Sequence, residues 1–430
     1  MLIDRILEWA FAVSGLSGRL TVTTASGYRF DAGDGHGPEV AIRFRDAAAE
    51  RAALLDPELR LGELFTDGRL LIEGGTLPEL MAVLLAANHG SPPFPPVRGH
   101  GLARSLLRRL LDWNGPSRAR RNVARHYDLD ERLYALFLDA DRQYSCAYYA
   151  APGLDLDAAQ TAKKRHIAAK LMAGPGHRVL DIGCGWGGFA LYLAEVAACE
   201  SVRGITLSTE QHGAAFARAR ARGLSDRVHF ALEDYRAVRG SYDRIVSVGM
   251  FEHVGPAHYD RFFRICRERL AEDGVMLLHT IGRTGRPAAT NPWITRYIFP
   301  GGHLPTLSEM MPAIEGSGLV VNDVEVLRLH YAATLSDWRA RFLARLTEAE
   351  RLYDARFCRM WDWYLASAEA AFRHEDAVVF QVLLTRRNDV IPPTRGYIAR
   401  AERRLRRREA KLASIGDAEL ELRIGLDASP

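Results

Sequence analysis

HRVLDIGCGWGG, residues 177–188, is the stretch on which the fold turns. Val179, Leu180 and Ile182 form an apolar run with the pattern of a buried parallel strand, and Gly183, Gly185, Gly187 and Gly188 crowd the turn that follows. Glycine has no Cβ and tolerates positive φ, so a ligand can approach the main chain there before a helix begins near Gly188. The spacing is GxGxGG rather than GxGxxG, and alone it describes a tight turn as well as a ligand cradle. Working outward, strands are expected at 178–183, 202–207, 227–232, 243–249 and 274–281, and helices at 188–197, 209–222 and 256–271. This alternation calls for right-handed crossovers and a parallel sheet that gathers ligands at the carboxyl ends of its strands. Those ends read DIGCGWGG, TLS, LED, GMFEHVG and HTIG.

The 430 residues allow two or three domains, and 48% hydrophobic content is ordinary for a globular chain. A formal charge of +4 is a mild excess of base that excludes neither an anionic membrane nor a nucleic acid. Five cysteines, Cys146, Cys184, Cys199, Cys266 and Cys358, show no CxxC pairing, which points to a reducing, cytoplasmic setting and no metal site. Asp4 and Glu8 interrupt the apolar start, and no run approaches the ~18 apolar residues of a membrane span. The expectation is a chain that meets lipid only from outside.

Residues 1–95 read as a small α+β accessory domain for docking or dimerisation, with strands at 18–24 and 39–44 and an apolar helix at 76–88. A homodimer is expected. SPPFPP at 91–96 marks a boundary, because successive prolines break helices and favour extended chain. Residues 96–125 form a basic linker or helix in which Arg104, Arg108, Arg109, Arg118, Arg120 and Arg121 alternate with leucines and Trp113. Such a segment suits anionic headgroups, or equally a solvated arginine face over packed leucines. A catalytic domain is assigned to 126–395. It opens with aromatics dense enough to be core or to roof a pocket for a long apolar substrate. An irregular stretch at 284–317 is long enough to cap a site, and strand-like sequence returns at 320–329 and 377–385. Residues 396–430 form a basic helix and tail, solvated or bound to an anionic surface.

With these motifs in place, the sequence resembles the cyclopropane-fatty-acyl-phospholipid synthase family in its long form with an N-terminal domain. YSCAYY (144–149), LDIGCGWGG (180–188), GITLSTEQ (204–211), DRIVSVGMFEHVG (243–255), LLHTIG (277–282), IFPGGHLP (298–305) and HYAATL (330–335) occur in family order. The resemblance runs over about residues 15–395. It implies an α/β fold with a Rossmann-like class I methyltransferase sheet, mostly parallel with an antiparallel late strand. It also implies S-adenosylmethionine as cofactor and a cis double bond of a phospholipid acyl chain as methyl acceptor. The protein would then sit peripherally on the inner face of the membrane, on anionic lipid and not on nucleic acid. The arginine runs lie outside the sheet, and no NPPY-like motif appears.

An alkene is a poor nucleophile, so the methyl donor must be a cationic sulfonium held in line with the π bond. The resulting carbocation needs a dry, ring-lined pocket and a base for one proton. The resemblance implies a bicarbonate ion as that base, bound by residues matching Cys146, Glu252, His279, the backbone of Ile281, and Tyr331. His279 and Tyr331 can donate to an anion, whereas Glu252 can sit beside one only through a shared proton. Apart from the family, Glu252 also reads as a helix-cap partner, His279 as a core histidine and Tyr331 as packing. For the cofactor, Asp181 is expected among the binding residues, Gly183 and Gly185 match the methionine region, Thr206, Leu207 and Gln211 the ribose, Leu232 and Glu233 the adenine, and Tyr127 a tyrosine that closes over it. One departure is Ala368, where family members usually carry a cysteine. The nearest alternative is a lipid C-methyltransferase that leaves a methyl or methylene branch, and a more distant one is a non-catalytic lipid-binding protein.

Overall fold

The computed structural model describes residues 2–86 and 130–427, with side chains through 414. The proline-rich boundary, the basic segment 96–125 and Tyr127 lie outside the described residues.

Two sheets organise the chain. The larger has the order β10-β11-β9-β8-β5-β6-β7, built from β5 (Arg178–Ile182), β6 (Ser201–Thr206), β7 (Val228–Leu232), β8 (Tyr242–Val248), β9 (Leu270–Arg283), β10 (Val320–Leu327) and β11 (Ala377–Thr385). β5 through β9 pair in parallel, while β11 enters antiparallel between β9 and β10. Of the two late strands, therefore, only β11 opposes the sheet, and β10 is its edge. All nine residues of β11 are buried, as an inner strand covered on both faces must be.

Period-2 alternation sorts the side chains between two cores. Val179, Val246 and Leu277 pack with Ile167, Leu191 and Leu405 on one face. Leu180, Ile245 and Met276 pack with Phe262, Phe263 and Ile314 on the other. The sheet is thus sandwiched by Leu156–Lys170, Gly188–Glu195 and Gly396–Asp427 on one side, and by Tyr259–Arg269 and Leu307–Ser317 on the other.

The smaller sheet, β2-β1-β3-β4, comprises β1 (Arg19–Thr23), β2 (Arg29–Ala32), β3 (Glu39–Phe44) and β4 (Leu70–Gly74). Around it stand helices Leu2–Ala12, Ala47–Leu55, Pro57–Thr66 and Leu77–Leu85, of which the sequence pattern gave only the last. Its core runs on without a break into Trp293, Trp361, Trp363 and Phe372, so this unit shares buried surface with the catalytic half. Pro57–Thr66 lies so close that a Cβ on Gly62 would come within 2.6 Å of the Trp293 ring and 2.7 Å of Trp363 Nε1.

Candidate active site

Two cavities meet at the carboxyl ends of the parallel strands. The smaller, of about 150 Å³, follows the glycine turn and is lined by Asp181, Gly183, Gly185, Thr206, Gln211 and Glu233 among others. Gly183 adopts φ +85°, and a Cβ there would stand 2.7 Å from Met250 Cβ. Gly187 caps the following helix at φ +80°, where a Cβ would meet the Phe230 ring at 2.5 Å. Both positions require glycine, because positive φ and lack of room coincide. Thr206 Oγ1 donates to Gln211 Oε1 at 2.9 Å, and Ser208 Oγ accepts from the Gln211 amide at 3.2 Å, so the second strand end is held before any ligand arrives.

Asp181 closes the floor of this cavity. Burial pushes its carboxyl up to about 7, with the Lys163 ammonium pulling the other way, and its Oδ2 is buried without a hydrogen-bond partner among the described residues. An unsatisfied carboxylate oxygen beside a backbone cradle fits a ligand with an ammonium or sulfonium group. Of the residues expected at the cofactor, Asp181, Gly183, Gly185, Thr206, Leu207, Gln211 and Glu233 all line this space. Leu232 does not. It stands 47% exposed at the end of β7, and the wall is taken over by Glu233, Asp234, Tyr235 and Arg236 as the chain turns inward after the strand. Glu233 is also tied to Arg203 at 2.7 Å, and Asp234 to Arg236 at 2.6 Å.

The larger cavity, of about 450 Å³, is mainly apolar and holds all five residues expected at the chemistry: Cys146, Glu252, His279, Ile281 and Tyr331. Glu252 sits in a short 3-10 turn, Phe251–His253, just past β8. Its Oε1 accepts from the Ile281 amide at 2.6 Å, while Oε2 is buried without a partner among the described residues. Burial raises this carboxyl to about 7. The Ile281 N–H is therefore committed to Glu252, and the Ile281 carbonyl accepts from Thr280 Oγ1 at 3.1 Å.

His279 lies on β9 opposite Gln381 of β11, whose Nε2 is 3.2 Å from His279 Nδ1. An amide donated there leaves the ring proton on Nε2. Burial holds the imidazole well below its usual pKa, so it is a neutral donor. Tyr331, near the start of His330–Ala344, is set edge-on against Trp338 and packs against Phe372. Cys146 donates to the Ala147 carbonyl, and burial raises its thiol far above the range in which a thiolate forms. It can act only as a neutral group.

Tyr144, Ser145, Gly249 and His253 line both cavities and mark where they join. The aromatic stretch thus divides. Tyr134 and Phe137 are wholly buried core, while Tyr144, hydrogen-bonded to Tyr364 Oη at 2.8 Å, walls the junction. Lys163, which the sequence reading passed over, is fully buried and donates to Gln143 Oε1 at 2.7 Å and Ser145 Oγ at 2.6 Å, pinning this segment from behind. Its sequence gives little signal, because the buried face of its helix also carries Gln160, Lys164, His166 and Lys170. The 284–317 stretch covers the larger cavity with Trp293, Ile294, Phe299 and His303, and the His303 amide donates to the Glu252 carbonyl at 2.9 Å. Ala368 lines the same space.

The sheet, the glycine turn and the paired cavities define a class I S-adenosylmethionine-dependent methyltransferase. Residues 115–382 match the family described as mycolic acid cyclopropane synthetase, and the chain belongs to that family. It is 39% identical over 345 residues to the cyclopropane-fatty-acyl-phospholipid synthase of Escherichia coli K12, covering 80% of this chain and 87% of that one. Over 289 residues it is 39% identical to the tuberculostearic acid methyltransferase UfaA1 of Mycobacterium tuberculosis, covering 64% and 67% of the two chains. Among solved structures, mycolic acid cyclopropane synthase CmaA1 complexed with SAH and CTAB superposes with a TM-score of 0.58 at 33% identity, over 62% of this chain and 97% of that one.

Proposed function

We propose that the protein transfers the methyl carbon of S-adenosylmethionine to a cis double bond in a phospholipid acyl chain and closes a cyclopropane. The observation that carries this reading is the junction itself: a cavity with a glycine cradle and the Asp181 carboxyl shares Tyr144, Ser145, Gly249 and His253 with a larger apolar one that holds Glu252, His279 and Tyr331. The bound cofactor supplies an electrophilic methyl group. Asp181 and the turn from Gly183 orient the donor, and Tyr144, Ser145 and Gly249 set the aperture through which it faces the alkene. Tyr331, Tyr364 and Phe372 exclude water from the developing cation and stabilise it with their ring faces.

The proton released on ring closure needs an acceptor, and neither the neutral His279 nor the protonated thiol of Cys146 is a strong one. We propose that bicarbonate fills that role, held by His279 Nε2, the Tyr331 hydroxyl and a protonated Glu252 donating from Oε2, with Cys146 and the Ile281 backbone beside it. A Glu252 carboxyl raised to about 7 supports this, because the protonated acid can donate to an anion where the ionised form would repel it.

Incubation with S-adenosylmethionine and vesicles of cis-unsaturated phosphatidylethanolamine and phosphatidylglycerol tests the reading. The expected product gains one CH₂ and loses its alkene signal. A gain of one CH₂ with the alkene retained or moved would favour a branched product instead. The likeness to a tuberculostearic acid methyltransferase and the alanine at 368 speak for that second outcome.

No described helix is long and apolar enough to cross a membrane. We propose peripheral contact with an anionic surface through Gly396–Asp427. That helix buries Tyr397, Ile398 and Leu405 while Arg400, Arg403, Arg404 and Arg407 remain exposed.

A further inference from the structure

Helices that the sequence assigns to an accessory unit form one wall of the apolar cavity. Leu7 and Phe11 of Leu2–Ala12, Leu54 of Ala47–Leu55, Leu61 of Pro57–Thr66, and Met81 and Leu84 of Leu77–Leu85 line the same continuous space as Glu252 and Tyr331. These six carry no polar side-chain atom. Ser14 and Glu58 are the polar side chains that this unit adds to the lining, and Glu58 joins the cavity's other charged groups. Arg283 pairs with Asp376 at 2.9 Å, and Glu375 feels Arg283, Asp376 and Glu58 together. The space therefore has a charged corner at Glu58, Arg283, Glu375 and Asp376 and an apolar stretch along Leu7, Phe11, Leu54, Met81 and Leu84. The hydrocarbon wall is also fixed in place. Gly62 rests on Trp293 and Trp363, Tyr297 Oη donates to Glu63 Oε1 at 2.7 Å, and Arg359 Nε donates to the Thr66 carbonyl at 2.8 Å. It lies outside residues 115–382, so the family match does not account for it.

We propose that this N-terminal wall holds the methyl end of the acyl chain and so measures the length of chain beyond the reacting double bond. The proposal rests on the lipid-alkene reading above. A methyl-terminated tail has no polar atom and suits the apolar stretch of this wall, whereas the ester and headgroup need hydrogen-bonding partners such as those of the charged corner. A rigid apolar wall discriminates by volume, since each methylene that no longer fits loses burial and meets packed side chains.

The test uses the full chain and vesicles of phosphatidylcholine bearing myristoleoyl, palmitoleoyl or oleoyl groups. These share the double-bond position counted from the ester and differ only beyond it. Met81→Trp and Leu84→Trp should each lower kcat/KM on oleoyl relative to myristoleoyl chains by about tenfold, the scale of hydrophobic-pocket discrimination. Met81→Ala, which only removes volume, should move the preference toward the longer chain and carries the test if the tryptophan variants fail to fold. Equal losses on all three chains in protein that still binds S-adenosylhomocysteine, or an unmoved preference, would overturn the proposal. A wild-type protein that converts none of the three would instead sink the lipid-alkene reading itself.

Discussion

A carboxyl sealed among apolar groups is easier to keep neutral than charged, and Glu252 shows what that costs the fold. Its pKa is raised from 4.5 to about 7, so the native state holds a proton there that the unfolded chain releases. Stability is therefore lost as pH rises through this window, by up to the order of 3 kcal/mol once above it. Glu252→Gln removes the titration. We expect a stability gain over wild type that is negligible near pH 4.5 and grows through pH 7, read by urea denaturation at a series of pH values. The same variant should lose about two to four orders of magnitude in methyl transfer, the usual weight of a positioned acid or base, while binding S-adenosylhomocysteine normally. A Gln variant with wild-type turnover would remove Glu252 from the chemistry. Bicarbonate dependence should weaken above pH ~7 as the donor proton is lost, which rate measurements in carbonate-free buffer would show. At this scale the residues alone were ambiguous: a lone glutamate, histidine or tyrosine reads as cap or core until seven motifs in family order single it out. Lys163, and the bond by which the Ile281 amide holds Glu252, escaped because these roles are set by partners distant in sequence, Ser145 and Glu252.

Among the elements, the glycine turn permits the sharpest forecast. Gly183→Ala would put a methyl group 2.7 Å from Met250 Cβ at a φ of +85°. It should cost about 1–3 kcal/mol in stability and weaken S-adenosylhomocysteine binding at least tenfold by calorimetry. An unchanged affinity would mean that the turn does not shape the cofactor site. The parallel strands and their helices were legible because apolar runs, breakers and right-handed crossovers leave few arrangements open. The insertion of β11 between β9 and β10 was not, since strand order depends on pairing between segments more than fifty residues apart. The first three helices of the N-terminal unit were missed for a related reason. They are only nine to eleven residues long, and their apolar residues face a cavity and another unit as well as their own sheet.

For the whole molecule, the shared core makes the two halves interdependent. Trp363→Ala empties a site that packs on Phe65, Trp293 and Gly62 at once, and should lower stability by about 3–5 kcal/mol. A loss under ~1 kcal/mol would show that the units dock loosely. The basic C-terminal helix is held by Glu402 against His166 and by Glu409 against Arg165 and Tyr192, so reversing charge on its outer face leaves that anchorage intact. Arg403→Glu with Arg407→Glu should weaken binding to phosphatidylglycerol vesicles by roughly 1 kcal/mol per arginine, with the deficit fading at high salt. Sedimentation with vesicles would measure it, and undiminished binding would place the contact elsewhere.

The walls common to both cavities have a thermodynamic corollary. Tyr144, Ser145, Gly249 and His253 cannot shift for one occupant without shifting for the other. Whatever factor the spent thioether adds to the protein's hold on an acyl chain, the acyl chain must return in full to the thioether, since linkage between two sites is reciprocal. Where that factor exceeds one, inhibition by the by-product deepens as the bilayer grows richer in alkene; where it is below one, the same alkene relieves it.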